Sequence, residues 1–175
     1  MPILLALVGA TGIGKSQLSL EIAERLHAQI IGVDSRQVYK DFAIGTAQPS
    51  EQDKARVPHH FVNFLNPSLA YSAGDFCAGV KRLLLANPTQ NYIMVGGTGL
   101  YLQALTLGLP QIPKIDSQIR EHLEAEVSKS GSDNLYKMAL SLDPEAMQNV
   151  DANNMHRVVR ILEVWQGTGR RLSEW

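Results

Sequence analysis

The sequence has a single cysteine, Cys77, among its 175 residues, so no internal disulfide can form. Because disulfides are typical of oxidising compartments, this favours a reducing compartment, and we expect a cytoplasmic protein. The sequence also lacks a hydrophobic run long enough to cross a membrane or to form the core of a signal peptide. Its apolar N-terminal stretch, residues 3–8, is too short for either role, so we expect no membrane partner.

The sequence has little excess charge of either sign, with 16 Lys and Arg residues, 17 Asp and Glu residues and a formal net charge of −1. It therefore lacks the strongly basic field of many nucleic-acid-binding proteins. This argues only weakly against an RNA ligand, because basic residues can be concentrated locally. With 45% hydrophobic and 19% charged residues, the composition is that of a globular protein, which excludes disordered and fibrous classes.

Apolar periodicity predicts alternating strands and helices in the first part of the chain. Strands are predicted at residues 3–8, 28–33, 59–64 and 92–95. Helices are predicted at residues 17–26 and 73–86 and from Leu100 onward, and residues 45–60 are predicted to be an ordered loop. This alternation is typical of an α/β fold with a mainly parallel sheet flanked by helices.

After about residue 108 the pattern changes to helices alone. Pro110 and Pro113 indicate a linker, and helices are predicted at residues 117–129, 133–141 and 154–166. We therefore expect two domains, an α/β core at residues 1–108 and a helical appendage at residues 109–175.

The segment between the first strand and the first helix has the pattern G-x-x-x-x-G-K-S and reads Gly9-Ala10-Thr11-Gly12-Ile13-Gly14-Lys15-Ser16. Glycines let the backbone wrap a phosphate, and the loop amides and the helix N-terminus supply donors to it. Lys15 adds a positive charge, and Ser16 offers an oxygen to Mg²⁺. The pattern predicts a phosphorylated ligand. The alternative, a glycine turn without function, is disfavoured by the strand and helix on either side.

Two further polar positions follow predicted strands. Asp34 opens the run Asp34-Ser35-Arg36-Gln37-Val38-Tyr39, and Thr98 lies in Gly96-Gly97-Thr98-Gly99-Leu100-Tyr101. Open α/β sheets bind their ligands at the carboxyl ends of strands. Asp34 can there hold Mg²⁺ through water, act as a base or cap a turn. Thr98 can hydrogen-bond a ligand or cap a helix.

Histidine and arginine residues are further candidates for site residues. His59 and His60 are adjacent in a predicted strand and point to opposite faces, and one cysteine supplies no thiolate cluster, so we expect no zinc site. Arg157 and Arg160 lie three residues apart on one helix face. They either bind a phosphate backbone together or form a solvated surface.

Taken together, these motifs resemble the tRNA dimethylallyltransferase family. The resemblance rests on the phosphate loop and the runs that begin at Asp34 and Gly96. It also includes Ile44-Gly45-Thr46-Ala47, His59-His60, Tyr71-Ser72-Ala73-Gly74-Asp75-Phe76, Asp143-Pro144, Asn154, Arg157-Val158-Val159-Arg160, Leu162-Glu163-Val164 and Gly167. The order and spacing match as well, over essentially the whole sequence.

The resemblance implies a P-loop NTPase-like fold and transfer of a dimethylallyl group from its diphosphate to the N6 amine of the adenine on the 3′ side of the tRNA anticodon. The phosphate loop would hold the diphosphate leaving group with Mg²⁺, and ATP hydrolysis is not required. Asp34 would be the base that accepts a proton from the adenine, and Thr98 would lie in the same acceptor site.

The resemblance also makes the helical region a tRNA-binding insertion and implies that the adenine is flipped out of the anticodon stem-loop. The implied tRNA contacts are Asp34, Ser35, Arg36, Gln37, Thr98, Arg120, His156, Arg157, Val158, Val159 and Arg160. Full-length members are expected to be monomers.

The sequence departs from the family at Trp175, beyond which members continue with further helices and core elements. We therefore expect a truncated fold that exposes apolar surface, and poor stability or association of the isolated chain. Three alternatives remain open: an adenylate isopentenyltransferase, a small-molecule P-loop kinase, and an inactive phosphate- or RNA-binding fragment. Arginines in the helical region favour the tRNA enzyme over the first alternative, because a free nucleotide needs no such surface.

Overall fold

The computed structural model describes residues 2–175, apart from the side chain of Ser130. The chain divides into two compact units, the first ending at Leu109 and the second comprising Pro110–Trp175. The first unit contains a four-stranded parallel sheet with helices, and the regular elements described in the second unit are all helical. The predicted α/β class is confirmed.

The sheet of the first unit consists of β1 (Leu4–Val8), β2 (Ala28–Val33), β3 (His59–His60) and β4 (Asn91–Gly96). Their order is β1-β4-β2-β3, and every pair is parallel. The three longer strands are rich in Val, Ile and Leu, which suit a parallel sheet covered on both faces.

The register of the sheet places three strand ends side by side. Val8 of β1 and Val33 of β2 both pair with Gly96 of β4. The segments that follow these strands therefore begin at the same edge of the sheet, which is the edge where parallel α/β folds bind ligands.

The described residues of the first unit form four helices: α1 (Lys15–Leu26), α2 (Glu51–Arg56), α3 (Ala73–Ala86) and α4 (Gly99–Thr106). Two apolar clusters fill the space beside the sheet. One consists of Leu20, Ala23, Ala28, Ile30, Val57 and Ile93, and the other of Ile31, Val33, Phe76, Val80, Tyr92, Met94 and Tyr101. Because neighbouring residues of β2 and β4 fall into different clusters, α1 covers one face of the sheet, and α3 and α4 cover the other.

Two sequence predictions for the first unit were wrong in detail. Residues 51–56 form α2 instead of a loop, and the helix starts with a reciprocal capping box between Ser50 and Asp53. The strand predicted at residues 59–64 ends after His60, because Phe61 and Asn63 adopt positive φ values of 60° and 53°. Such left-handed residues turn the chain away from the sheet.

The strand β1 is an edge strand with exposed apolar side chains. Leu4 is 50% exposed and Val8 is 53% exposed, whereas Ile93 at the centre of β4 is fully buried. The two strands have similarly apolar sequences, so composition alone does not separate the central strand from the edge strand. The described residues leave the outer side of β1 without a neighbouring strand.

The second unit contains α5 (Ser117–Ser130), α6 (Asp133–Leu142), α7 (Pro144–Met147), α8 (Met155–Thr168) and a 3-10 turn at Leu172–Glu174. The three predicted helices are confirmed to within about two residues at each end, and α7 and the 3-10 turn were not predicted. The hydrophobic core of this unit is a cluster of buried side chains, Leu123, Leu135, Ala139, Met147, Val158, Val159, Ile161 and Leu162. This cluster packs α5, α6, α7 and α8 together.

A buried aspartate connects the last part of the chain to α7. Asp143 Oδ1 accepts a hydrogen bond from the N–H of Ala146 (3.0 Å), and its Oδ2 accepts one from the N–H of Ser173 (3.0 Å). Burial raises the pKa of the Asp143 carboxyl, but these hydrogen bonds outweigh it and lower the pKa below its usual value. Among residues 2–175, no helix is both long enough and apolar enough to cross a bilayer.

Candidate active site

The phosphate loop joins the end of β1 to the start of α1. Gly12 and Gly14 both have φ of +87°, a left-handed conformation that other residues rarely adopt. Gly14 is the N-cap of α1, and no side chain caps the helix there. The backbone N–H groups of the first turn are therefore not occupied by a capping side chain. Donors of this kind at the positive end of a helix dipole attract an anion.

Lys15 and Ser16 follow the loop in the first turn of α1. The Lys15 ammonium donates a hydrogen bond to the carbonyl of Ala10 (2.6 Å), so it already lies over the loop. The exposed Ser16 hydroxyl makes no hydrogen bond within the described residues, while the Ser16 carbonyl accepts one from Ser19 Oγ (2.7 Å). The ammonium and the hydroxyl can thus both be offered to a phosphorylated ligand.

Asp34 follows β2 and closes a short turn with its own side chain. Its Oδ1 accepts hydrogen bonds from the N–H groups of Arg36 (2.8 Å) and Gln37 (3.3 Å). The turn-capping role that the sequence left open is therefore present. Oδ2 has no hydrogen bond among the described residues, so one carboxylate oxygen fixes the turn and the other can receive a ligand or a proton.

Thr98 links the ends of β2 and β4. Its hydroxyl oxygen accepts a hydrogen bond from the N–H of Ser35 (3.0 Å), and its N–H donates to the carbonyl of Val33 (3.2 Å). Thr98 occupies the N-cap position of α4, but its side chain does not cap the helix. Because the hydroxyl serves as an acceptor here, its own proton remains available to a ligand.

A cavity of about 330 Å³ lies at this edge of the sheet. It is lined by Thr11, Gly12, Gly14, Lys15, Ser16, Asp34, Gln37, Thr46, Ala47, Val95, Gly96 and Gly97. A Cβ atom at Gly96 would collide with the carbonyl of Val33, so only glycine fits where β4 approaches β2. The phosphate loop and the Asp34 carboxylate therefore share one cavity, whereas Ser35, Arg36 and Thr98 are not part of its lining.

Two glutamines connect the Asp34 turn to the loop before α2, and only Gln37 was expected from the sequence. The Gln37 amide donates to the carbonyls of Thr46 and Ala47, both at 3.0 Å. The Gln48 amide donates in return to the carbonyls of Gln37 (3.0 Å) and Tyr39 (2.7 Å). Gln37 therefore acts within the protein as well as at the cavity wall. No local sequence signal indicates the role of Gln48.

The second unit holds the other implied contact residues in different environments. Val158 and Val159 are 0% and 3% exposed in the helical core, so their side chains are not available to a ligand in this structure. The sequence predicts tRNA contacts for both residues, and in this structure their side chains pack α8 against its neighbours. His156 and Arg157 are exposed, and no ion pair of Arg157 is found among the described residues.

Arg120 and Arg160 share the carboxylate of Glu163, a role that was not expected from the sequence. Arg160 Nη1 lies 3.0 Å from Glu163 Oε2, and Arg120 Nη1 lies 3.5 Å from the same oxygen. Arg120 Nε also donates to Glu124 Oε1 (2.8 Å). The signal that could have found Glu163 is its position three residues after Arg160 on one helix face.

The adjacent histidines of β3 both form hydrogen bonds within the first unit. His59 Nδ1 donates to the carbonyl of Val57 (2.7 Å), and His60 Nε2 donates to Gln29 Oε1 (2.7 Å). Burial lowers the pKa of both imidazoles. No group of three or more His, Cys, Asp or Glu side chains suited to a metal ion occurs in the described part of the chain.

Comparison with known proteins gives two family matches. The IPP transferase model matches residues 37–175, and the isopentenyl transferase model matches residues 2–63. A tRNA dimethylallyltransferase from Halorhodospira halophila is 41% identical over 172 residues, which are 97% of this chain and 56% of that protein. One from Nitrosococcus oceani is 43% identical over 170 residues, which are 96% of this chain and 54% of that protein.

Two solved structures are similar to nearly the whole of this chain. A eukaryotic dimethylallyltransferase acting on tRNA is 30% identical with a TM-score of 0.79, and the match covers 99% of this chain and 43% of that one. The tRNA isopentenylpyrophosphate transferase of Bacillus halodurans is 35% identical with a TM-score of 0.60, and the match covers 97% of this chain and 57% of that one.

The chain spans about half the length of the curated relatives it matches. Within that span, the IPP transferase model covers the Asp34 turn from Gln37 onward, the strand that ends at Gly96 and the whole second unit. The chain therefore belongs to the IPP transferase family.

Proposed function

We propose that this chain transfers a dimethylallyl group from dimethylallyl diphosphate to the N6 amine of the adenine on the 3′ side of a tRNA anticodon. The observation that carries the proposal is that Lys15, Ser16 and Asp34 line one cavity at the carboxyl edge of the sheet. A diphosphate on the phosphate loop then lies beside a carboxylate that can accept a proton. The names of the relatives, tRNA dimethylallyltransferases, support the same reaction.

The phosphate loop is proposed to bind the diphosphate and to stabilise it as it leaves. The Lys15 ammonium now donates to the carbonyl of Ala10, and diphosphate oxygens are stronger, charged acceptors for the same donor. Negative charge grows on the diphosphate as the carbon–oxygen bond breaks. An ammonium and backbone N–H groups that are already in place stabilise that charge most, because little reorganisation is needed.

Magnesium fits the residues present at this site. Mg²⁺ keeps several water ligands and is usually held by phosphate oxygens with one or two protein oxygens. The Ser16 hydroxyl, exposed and without a hydrogen bond in the described structure, can supply one such oxygen. When bound, the ion would neutralise part of the diphosphate charge.

Asp34 is proposed to be the base. The adenine N6 lone pair forms a bond to the allylic carbon, the carbon–oxygen bond breaks toward the diphosphate, and the N6 proton passes to the Asp34 carboxylate. Asp34 Oδ1 is held by two backbone N–H groups, which leaves Oδ2 for the proton. The Thr98 hydroxyl, which accepts from Ser35, can donate its own proton to the adenine.

The second unit is proposed to bind the anticodon stem. His156, Arg157, Arg160 and Arg120 supply side chains for this role, while Val158 and Val159 act through the packing of α8. Near the cavity, Ser35, Arg36 and Gln37 remain proposed tRNA contacts. A cytoplasmic location suits a tRNA substrate and a chain with one cysteine.

Choice of acceptor tests the proposal and separates it from its alternatives. The chain would be incubated with Mg²⁺ and labelled dimethylallyl diphosphate, together with an anticodon stem-loop that has adenine at the target position. Two further acceptors are tested in parallel reactions. One is the same stem-loop with guanine at the target position, and the other is free AMP. We expect label in the adenine stem-loop only.

Each other result indicates a different function. Label in AMP and not in RNA would indicate an adenylate isopentenyltransferase. In a separate assay, ATP turnover without prenyl diphosphate would indicate a kinase. Bound diphosphate with no label in any acceptor would indicate a phosphate-binding fragment without transferase activity.

A further inference from the structure

A buried glutamate lies between two arginines of the second unit. Glu163 is 7% exposed, and its Oε2 accepts hydrogen bonds from Nη1 of Arg160 (3.0 Å) and Nη1 of Arg120 (3.5 Å). Arg160 belongs to α8 and Arg120 to α5, so the carboxylate joins two helices. A guanidinium has five N–H donors, and several donors of each arginine remain available beside these hydrogen bonds.

We infer that Glu163 is a positioning residue for RNA binding, which holds the guanidinium groups of Arg120 and Arg160 together so that they meet the phosphate backbone as a preformed pair. This inference rests on the proposed function, because it takes tRNA as the ligand. An arginine that is ordered before binding loses less side-chain entropy when a phosphate docks. Arg157 on the same helix has no such partner in the described structure and provides an internal comparison.

The opposite role for Glu163 makes a different prediction. If the carboxylate only neutralised two arginines, its removal would raise the local positive potential and RNA would bind more tightly. If it positions them, its removal loosens both side chains and RNA binds less tightly. The sign of the change therefore distinguishes the two roles.

The experiment compares Glu163→Gln with Glu124→Gln. Glu124 contacts the same Arg120, but its side chain is 56% exposed against 9% for Glu163, and both substitutions remove one negative charge. Binding of the anticodon stem-loop would be measured over a range of salt concentrations, with circular dichroism to verify folding. We expect Glu163→Gln to weaken binding of the stem-loop about 5- to 100-fold, because two long arginine side chains would then lose their rotamer entropy on binding. The slope of log K against log salt should become shallower by about one for each phosphate that the arginines no longer neutralise.

We expect Glu124→Gln to leave affinity unchanged or slightly tighter, with the same salt slope. Equal effects of the two substitutions, or tighter binding by Glu163→Gln, would overturn the positioning role and leave RNA binding itself intact. A wild-type chain that does not bind the stem-loop at low salt would overturn the proposed function and this inference with it.

A second measurement is decisive if Glu163→Gln does not fold. Nitrogen relaxation of arginine Nε–H groups in the wild-type chain reports the order of each side chain on the picosecond to nanosecond timescale. We expect Arg120 and Arg160 to be ordered and Arg157 to be mobile. Equal mobility of all three would overturn the positioning role.

Discussion

In the first unit the main chain holds two of the proposed catalytic side chains, whereas in the second unit a side chain holds two of the proposed RNA-binding arginines. Asp34 is fixed by two backbone N–H groups, and Thr98 is fixed by the N–H of Ser35. Arg120 and Arg160 are instead fixed by the Glu163 carboxylate. Backbone donors stay in place when a neighbouring side chain is replaced. We therefore expect the positions of Asp34 and Thr98 to tolerate substitution of their neighbours, whereas the positions of Arg120 and Arg160 should depend on Glu163.

The difference also suits the two proposed tasks. Proton transfer and departure of a diphosphate need atoms held within a few tenths of an ångström, which a strand end and a tight turn can provide. A phosphate backbone is bound by charge over a wider area, and arginine side chains can follow its shape.

The largest effect is expected for Asp34→Asn. Asparagine keeps the oxygen that accepts from Arg36 and Gln37, so the turn should persist, but the amide cannot act as a base. We expect the transfer rate to fall about 10²- to 10⁴-fold, the usual contribution of a general base, with the affinity for diphosphate unchanged. Single-turnover transfer to the stem-loop measures this.

Asp151→Asn is the matched control in the second unit. Asp151 Oδ1 accepts from the N–H of Asn153 (2.8 Å) in a turn of the same kind. The control should transfer at the wild-type rate. A rate for Asp34→Asn within a few-fold of wild type would show that the carboxylate only closes the turn.

The next largest effect concerns the stability of the second unit and tests whether the first unit is affected by it. Leu162 is fully buried in the core of the second unit, and Leu162→Ala should lower the free energy of unfolding by about 2–5 kcal/mol. Both tryptophans, Trp165 and Trp175, lie in this unit, so their fluorescence in urea reports its unfolding. Diphosphate binding by the first unit should be unaffected.

Leu140→Ala supplies the control, because Leu140 is 44% exposed on α6. This substitution should change stability by no more than about 0.5 kcal/mol. Leu162→Ala would be compared with wild type at a denaturant concentration where the second unit of both stays folded. If the variant then fails to bind diphosphate, the first unit does not bind diphosphate independently of the second.

The smallest effect is a pH dependence confined to the first unit. Burial lowers the pKa of His59 and His60 below the ordinary value of 6.5, so the unfolded chain binds more protons than the native chain. The resulting stability is fully present above pH 6.5 and decreases as the pH falls below it. Hydrogen exchange of residues 28–33, measured at pH 7.5 and 5.5 and corrected for intrinsic rates, should show easier opening at the lower pH.

His60→Gln tests the cause of this dependence, because glutamine can still donate a hydrogen bond to Gln29 but does not titrate in this range. The variant should be less sensitive to pH than the wild type. An unchanged pH dependence in both His59→Gln and His60→Gln would exclude these imidazoles as its source.

The sequence predicts most elements of the fold, since apolar periodicity and capping residues are local. The helix at residues 73–86 is confirmed to the residue, because Ser72 and Asp75 fix its start and Asn87 ends it. α2 was missed because its six residues bury nothing, although Ser50 and Asp53 form a capping box that the sequence contains. The exposure of β1 was not predictable from its apolar sequence, since strand order depends on the whole sheet.

The candidate site divides in the same way. The phosphate loop, Asp34 and Thr98 follow strands, and parallel pairing alone brings strand ends together, so these positions could be named from sequence. The pairing of Glu163 with Arg120 joins residues 43 positions apart and depends on how α5 packs on α8. Gln48 is similar, because its partners are carbonyl groups of another loop and no side-chain pattern marks them.

The most direct test of the diphosphate site is hydrogen exchange of the wild-type chain with inorganic diphosphate and Mg²⁺, read separately in the two units. We predict that diphosphate slows exchange in residues 9–16 and leaves residues 154–163 unchanged. We also predict that Lys15→Met reduces this protection, whereas Lys137→Met in the exposed part of α6 does not. No protection of residues 9–16 at saturating diphosphate, or equal protection of both segments, would contradict the assignment of the diphosphate to the phosphate loop.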